Sequence, residues 1–179
     1  MIRAFRTTLA VVFLTILASC GGDSTSGGSA PPRFMRYDGP PVTQIVVNKS
    51  DRMMFLISGK TVLKSYKIHL GNEPDGAKQF EGDGKTPEGV FVIDRFNPRS
   101  AYHLSVGINY PRPQDTARAA AYGRSAGSDI FFHGRGPEGA AAKRKNKNDW
   151  TAGCIAVEDS EIEEIYAMVR SGTTVFINP

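Results

Sequence analysis

The chain has 179 residues, a formal net charge of +4 and two cysteines, and 40% of it is hydrophobic. That length and apolar content suit one domain with a real core. Two cysteines make neither a disulfide framework nor a typical structural zinc module, recurring apolar runs exclude a disordered chain, and no basic stripe interleaved with aromatics points to nucleic acid.

In chain order, residues 1–6 are basic through Arg3 and Arg6, and residues 7–18 form an apolar stretch too short to span a bilayer. This is the pattern of an export signal rather than of a transmembrane helix. Leu17-Ala18-Ser19-Cys20 resembles the lipobox of bacterial lipoproteins, in which the cysteine sulfur is lipidated and the chain is cut before it. Residues 1–19 are therefore expected to be removed, leaving Cys20 as the lipidation site; an ordinary signal peptide with a nearby cysteine is the alternative. Loss of Arg3 and Arg6 leaves 20 basic residues against 18 acidic, a formal +2, and net charge then says little about partners. Residues 20–40, which include GGDSTSGGSAPP, have the composition of a flexible tether between an anchor and a soluble domain at 41–179. The expected location is the periplasmic side of a bacterial membrane, with Gly21 in place of aspartate favouring the outer one.

Residues 43–48 and 53–58 are apolar and β-prone, and Ser58-Gly59-Lys60 turns the second into residues 61–68, as in a hairpin. Further strands are expected at 89–94, 102–108, 128–133 and 173–178. A short alanine-rich helix is expected at 114–122, closing at Gly123. A longer one, capped by Asp159 or Ser160 and ending at Gly172, carries Ile162, Ile165, Tyr166 and Val169 on one face. Short strands separated by Gly/Pro turns, without alternating βα units, imply a mainly β domain, a sandwich or barrel-like sheet with peripheral helices.

With Cys20 lipidated, Cys154 is a lone thiol in an oxidising compartment. A buried apolar cysteine and an intermolecular disulfide are the plain readings. The context Thr151-Ala152-Gly153-Cys154-Ile155 favours another: a turn at the head of a β-prone run presents sulfur and backbone N–H groups together, as an acyl-transfer nucleophile requires. A thiol of pKa about 8.5 needs a base, and there are three histidines. His133 ends an apolar strand before Gly134, where a side chain leaves the core while staying rigidly aimed. His69 and His103 lie within strand patterns and read as packing or surface residues. A metal site is not expected, since there is no second cysteine near Cys154, no paired histidine and no clustered acid. Gly134-Arg135-Gly136-Pro137-Glu138-Gly139 matches G-x-G-x-x-G, but no βαβ unit surrounds it, so no dinucleotide or other cofactor is expected. Its glycines read instead as a mobile loop over the site. Lys143, Arg144, Lys145 and Lys147 in that loop are either solvated or placed to contact an anionic substrate.

His133-Gly134, followed by Trp150-Thr151-x-Gly153-Cys154, resembles the signature of the L,D-transpeptidase (YkuD-type) catalytic domain. Gly82-Asp83-Gly84-Lys85-Thr86-Pro87-Glu88-Gly89 resembles its upstream G-D-x-x-T-P-x-G turn. Leu70-Gly71-Asn72-Glu73-Pro74, Tyr102-His103-Leu104-Ser105 and Asp149-Trp150-Thr151 are most similar to the YafK-like branch. The resemblance implies Cys154 as nucleophile and His133 as general base, oriented by a backbone carbonyl near Gly134. It implies the N–H groups of Gly153 and Cys154 as oxyanion donors, and Trp150 and Thr151 beside the substrate. The implied substrates are peptidoglycan stem peptides cut at an L,D-bond, with an amine or water accepting the acyl group. A non-catalytic wall-binding lipoprotein is the reading from another class. Ala152 and Ala156 depart from the histidine and from the arginine or asparagine common in the family, which bears on substrate preference more than on the thiol.

Overall fold

The computed structural model describes residues 34–145 and 147–179. The expected export segment, Cys20 and the tether as far as residue 33 lie outside the described residues; residues 34–40 carry neither helix nor strand. The elements are β1 (Gln44–Asn48), β2 (Met53–Ser58), β3 (Thr61–Lys67), β4 (Gly89–Asn97), β5 (Ser105–Ile108), α1 (Pro113–Ala120), β6 (Phe131–His133), α2 (Gly136–Arg144), β7 (Ile155–Ala156), α3 (Asp159–Met168) and β8 (Thr174–Asn178).

Alternating apolar residues on the long strands build the core. Ile45, Val47, Met54, Leu56, Phe91, Ile93 and Val175 are each at most 1% exposed, and burying such a side chain contributes roughly 1.5–3 kcal/mol. A one-residue slip would turn them all outward, so the register is strongly specified. The strands form an eight-stranded sheet in the order β3-β2-β1-β8-β4-β5-β6-β7. Most neighbours are antiparallel, but β1 pairs in parallel with β8 and β6 in parallel with β7. Pairing continues past the end of β3: His69 and Ala156 exchange two backbone hydrogen bonds of 2.8 Å, and Gly71 bridges Thr151. The two ends of the strand order are thereby joined, and the sheet curls toward a barrel. The fold is the mainly β, barrel-like sheet with peripheral helices expected from the sequence. Helix α3 covers it with Ile162, Ile165 and Met168, packing against β5 and β6.

Several local expectations are corrected. The segment read as a mobile glycine loop is largely helix α2, with Pro137 in its first turn, Glu138 near its N-terminus and Lys143 and Arg144 in its last turn, charges placed as the helix dipole prefers. Strand β5 begins at Ser105 rather than 102, and β6 at Phe131 rather than 128, because His103 (φ 75°) and Asp129 (φ 58°) adopt left-handed backbone that strands exclude. The N-cap of α3 is Glu158, whose N–H donates to the Glu161 carboxylate at 2.8 Å, in the manner of a capping box. Asp159 does not cap because its carboxylate accepts the Arg135 N–H at 2.7 Å. The helix stops at Met168, four residues short of Gly172.

Candidate active site

The parallel pairing of β6 with β7 sets His133 opposite Ala156. Cys154, two residues before Ala156 on the approach to β7, thus reaches the same end of the sheet as the imidazole. Both line one cavity of about 310 Å³. His133 is 3% exposed, and its Nδ1 lies 2.6 Å from the Gly134 carbonyl oxygen. A carbonyl only accepts, so Nδ1 carries the proton and Nε2 keeps its lone pair. Burial pushes the imidazole pKa below the ordinary value, outweighing the Gly134 hydrogen bond and the charges of Glu138 and Asp159. Burial likewise pushes the Cys154 thiol up, against an opposing N–H of Phe131. The resting pair is therefore a neutral thiol and a neutral imidazole, with the thiol directed at the Asp129 carbonyl 3.4 Å away.

The backbone that presents Cys154 is set by its neighbours. The Thr151 hydroxyl donates to the Cys154 carbonyl at 2.7 Å and accepts the Gly153 N–H at 3.1 Å, closing a side-chain turn around Cys154. Gly153 has φ 135°, and a Cβ there would sit 2.6 Å from the Lys85 carbonyl oxygen. A Cβ on Gly71 would meet the Gly84 carbonyl at 2.0 Å. The Gly82–Gly89 turn thus packs against the back of the Cys154 loop through atoms only glycine permits. Asp83 organises that turn, accepting N–H bonds from Gln79, Phe80 and Lys85 at 2.6–3.0 Å and pairing with buried Lys78 at 2.8 Å. Burial alone would raise the Asp83 carboxyl, but Lys78 and the three N–H donors outweigh it and hold the pKa below the usual range.

These contacts engage three residues expected at the substrate. Thr151 is buried and its hydroxyl is engaged within the turn, and neither Thr151 nor Trp150 lines the cavity. Trp150 instead packs edge-on to His133 at 5.7 Å, and α2 approaches it so closely that a Cβ on Gly139 would lie 2.7 Å from the indole. The Gly153 N–H, expected to face the oxyanion, donates to Thr151. Ala156 is fully buried opposite His133, and Ala152 is exposed beside Cys154. The other two histidines serve the scaffold: His69 accepts from Arg135 at 2.8 Å and contacts the Asn148 carbonyl, and His103 pairs with Glu163 at 2.8 Å.

Sequence reasoning missed two contributors. Tyr102 lies over His133 with ring centroids 4.5 Å apart, and its hydroxyl donates to Glu138 of α2 at 2.8 Å. Burial, then that hydrogen bond, push the Tyr102 phenol up to about 12. Asp149 accepts the Leu70 N–H at 2.9 Å and pairs with Arg52 at 2.8 Å, anchoring the strap before Cys154. Both stood inside the family-like motifs, but nothing in one sequence separates a partner of His133 from a strut. Among the described residues no three His, Cys, Asp or Glu side chains gather as a metal site would require.

The family model of the L,D-transpeptidase catalytic domain (YkuD) matches residues 42–177. The chain belongs to this family. YafK of Escherichia coli (strain K12), which carries the provisional name of an L,D-transpeptidase, is 29% identical over 184 residues, covering 96% of this chain and 67% of that protein. Among solved structures, the helical cell shape determining protein Pgp2 from Campylobacter jejuni has a TM-score of 0.59 at 24% identity, over 83% of this chain and 51% of that one. Bdellovibrio bacteriovorus Bd1075 has a TM-score of 0.52 at 22% identity, over 80% and 51%. This L,D-transpeptidase-family chain thus spans about half the length of the solved structures it matches, and at those identities the likeness is one of fold.

Proposed function

We propose that the protein transfers acyl groups between peptidoglycan stem peptides through a thioester on Cys154. The observation that carries this is the Nδ1 contact of His133 with the Gly134 carbonyl, which leaves Nε2 free as a base in the cavity that holds the thiol. Nε2 takes the Cys154 proton as sulfur attacks the carbonyl carbon of the L,D-bond. The carbonyl oxygen takes the negative charge beside the Cys154 N–H, the donor assigned here because that of Gly153 is engaged. Collapse breaks the C–N bond, the imidazolium protonates the departing D-amino acid, and the thioester remains. An acceptor amine then attacks, giving its proton to Nε2 as the C–S bond breaks and the thiol is restored.

Incubation of the purified protein with defined muropeptides, with and without an amine acceptor, followed by mass analysis, tests this. The expected result is cross-linked product dependent on the acceptor, absent from Cys154→Ala. Only shortened peptides in both arms would mean that water is the acceptor and the protein a hydrolase. Normal products from Cys154→Ala would overturn the thioester. Pgp2 is described as determining helical cell shape, and wall remodelling on the periplasmic side, from a lipid anchor at Cys20, is the cellular role we assign to this chain.

A further inference from the structure

The sheet register places a polar row beside the base. Asn97 of β4 is paired with Ser105 of β5, and Ser105 with His133 of β6. Paired residues on neighbouring strands project from the same face, about 4.8 Å apart, and all three line the cavity that contains Cys154. Ser105 is 3% exposed, yet its hydroxyl has no hydrogen-bond partner among the described residues. Asn97 accepts the Arg99 N–H at 2.9 Å, so its carbonyl oxygen is occupied and its NH2 group is left to donate. Ser100, also on the cavity wall, accepts the Tyr102 N–H at 3.1 Å and keeps its O–H. Three side chains thus offer hydrogen-bond donors while two of them have their acceptor already engaged. The carboxylate on the wall, Asp129, stands on the Cys154 side, tied outward to Arg95 at 3.4 Å and to the Ser128 hydroxyl at 2.9 Å.

We infer that Asn97, Ser100 and Ser105 form a subsite for the carboxylate of the departing amino acid. The inference rests on the proposed acyl transfer for its direction. Nε2 of His133 protonates the leaving amine, and the carboxyl carbon lies two bonds beyond that nitrogen, which carries it along the row from His133 toward Ser105. Neutral donors suit a carboxylate that must later leave, since they bind it through charge-assisted hydrogen bonds without a buried counter-cation.

The test uses a stem tetrapeptide with a free terminal carboxylate and the same peptide as its carboxamide. Binding to the Cys154→Ala protein is expected to favour the free acid by on the order of tenfold, as charge-assisted bonds to a few neutral donors allow. Ser105→Ala and Asn97→Ala should each narrow that preference, and the double variant should abolish it, while circular dichroism and thermal midpoint report folding. Equal binding of the two peptides, no binding of either, or a preference that survives the double variant would overturn the subsite. Turnover of the same peptides by the unsubstituted protein is read separately. A retained preference without turnover would sink the acyl-transfer reading alone, and turnover without preference would sink the subsite alone.

Discussion

Cys154 and His133 share a cavity as uncharged partners, and burial is the cause on both sides. It pushes the thiol up and the imidazole down, so the two form no ion pair at rest, and in the proposed reaction proton transfer accompanies attack. In the proposed acyl transfer the neutral imidazole is the active form. Thiol acylation should therefore rise with pH through a midpoint below the ordinary histidine value of 6.5 and stay level until the thiol itself ionises. A pH profile of kcat/KM for acylation measures this, and a midpoint above 6.5 would contradict the neutral pair. Stability follows the same sign: below pH 6.5 the unfolded chain takes up the proton more readily than His133 does, so His133 makes folding less favourable as pH falls.

The glycine-rich turn and the strap before Cys154 are elements whose work is to hold one loop. Asp83 makes the turn possible by gathering three N–H groups and the Lys78 ammonium. Asp83→Asn leaves the buried Lys78 charge without its counter-charge, which costs about 3–5 kcal/mol by analogy with broken buried pairs. Chemical denaturation should show that loss. Adding Lys78→Met in the same protein should recover part of it, because the stranded charge is removed. Acylation should fall with Asp83→Asn even where folding is retained, since Gly84 and Lys85 pack directly against Gly71 and Gly153. Tyr102 and Trp150 form the corresponding wall on the other side of His133, and α2 supports both through Glu138 and Gly139.

For the whole molecule, a single curled sheet carries both Cys154 and His133 at one end, and the anchor proposed at Cys20 would leave that site untouched. If Cys20 carries lipid, the full-length protein should fractionate with membranes and incorporate a labelled fatty acid. Cys20→Ser should lose both while its domain keeps its reactivity toward thiol reagents. An unlabelled, freely soluble parent protein would overturn the anchor. Arg52 to Asp149 and Lys49 to Glu88, both pairs bonded across distant parts of the chain at 2.6–2.8 Å, bind the β1–β2 turn to the strap before Cys154 and to the start of β4.

Much of this was legible in the residues because it depends on local pattern. Alternation located seven of the eight strands, alanine and apolar spacing located α1 and α3, and the strand end at His133 together with the turn before Cys154 marked both reactive groups. Helix α2 was hidden because its glycines and proline weaken helix propensity, and its close approach to Trp150 at Gly139 is a tertiary contact. The starts of β5 and β6 were misread because His103 and Asp129 adopt positive φ, which Asp and His tolerate better than most residues but do not require. The motif placed Thr151 and Trp150 beside Cys154, but only packing shows the one closing a turn with its hydroxyl and the other lying edge-on to His133. The sequence by itself determined seven of the described strands and which residues are chemically able to react. Tertiary structure alone decided their partners: parallel pairing of β6 with β7 and the register across β4, β5 and β6 bring residues far apart in the chain onto one face, and such long-range pairing leaves no periodic trace in a single sequence.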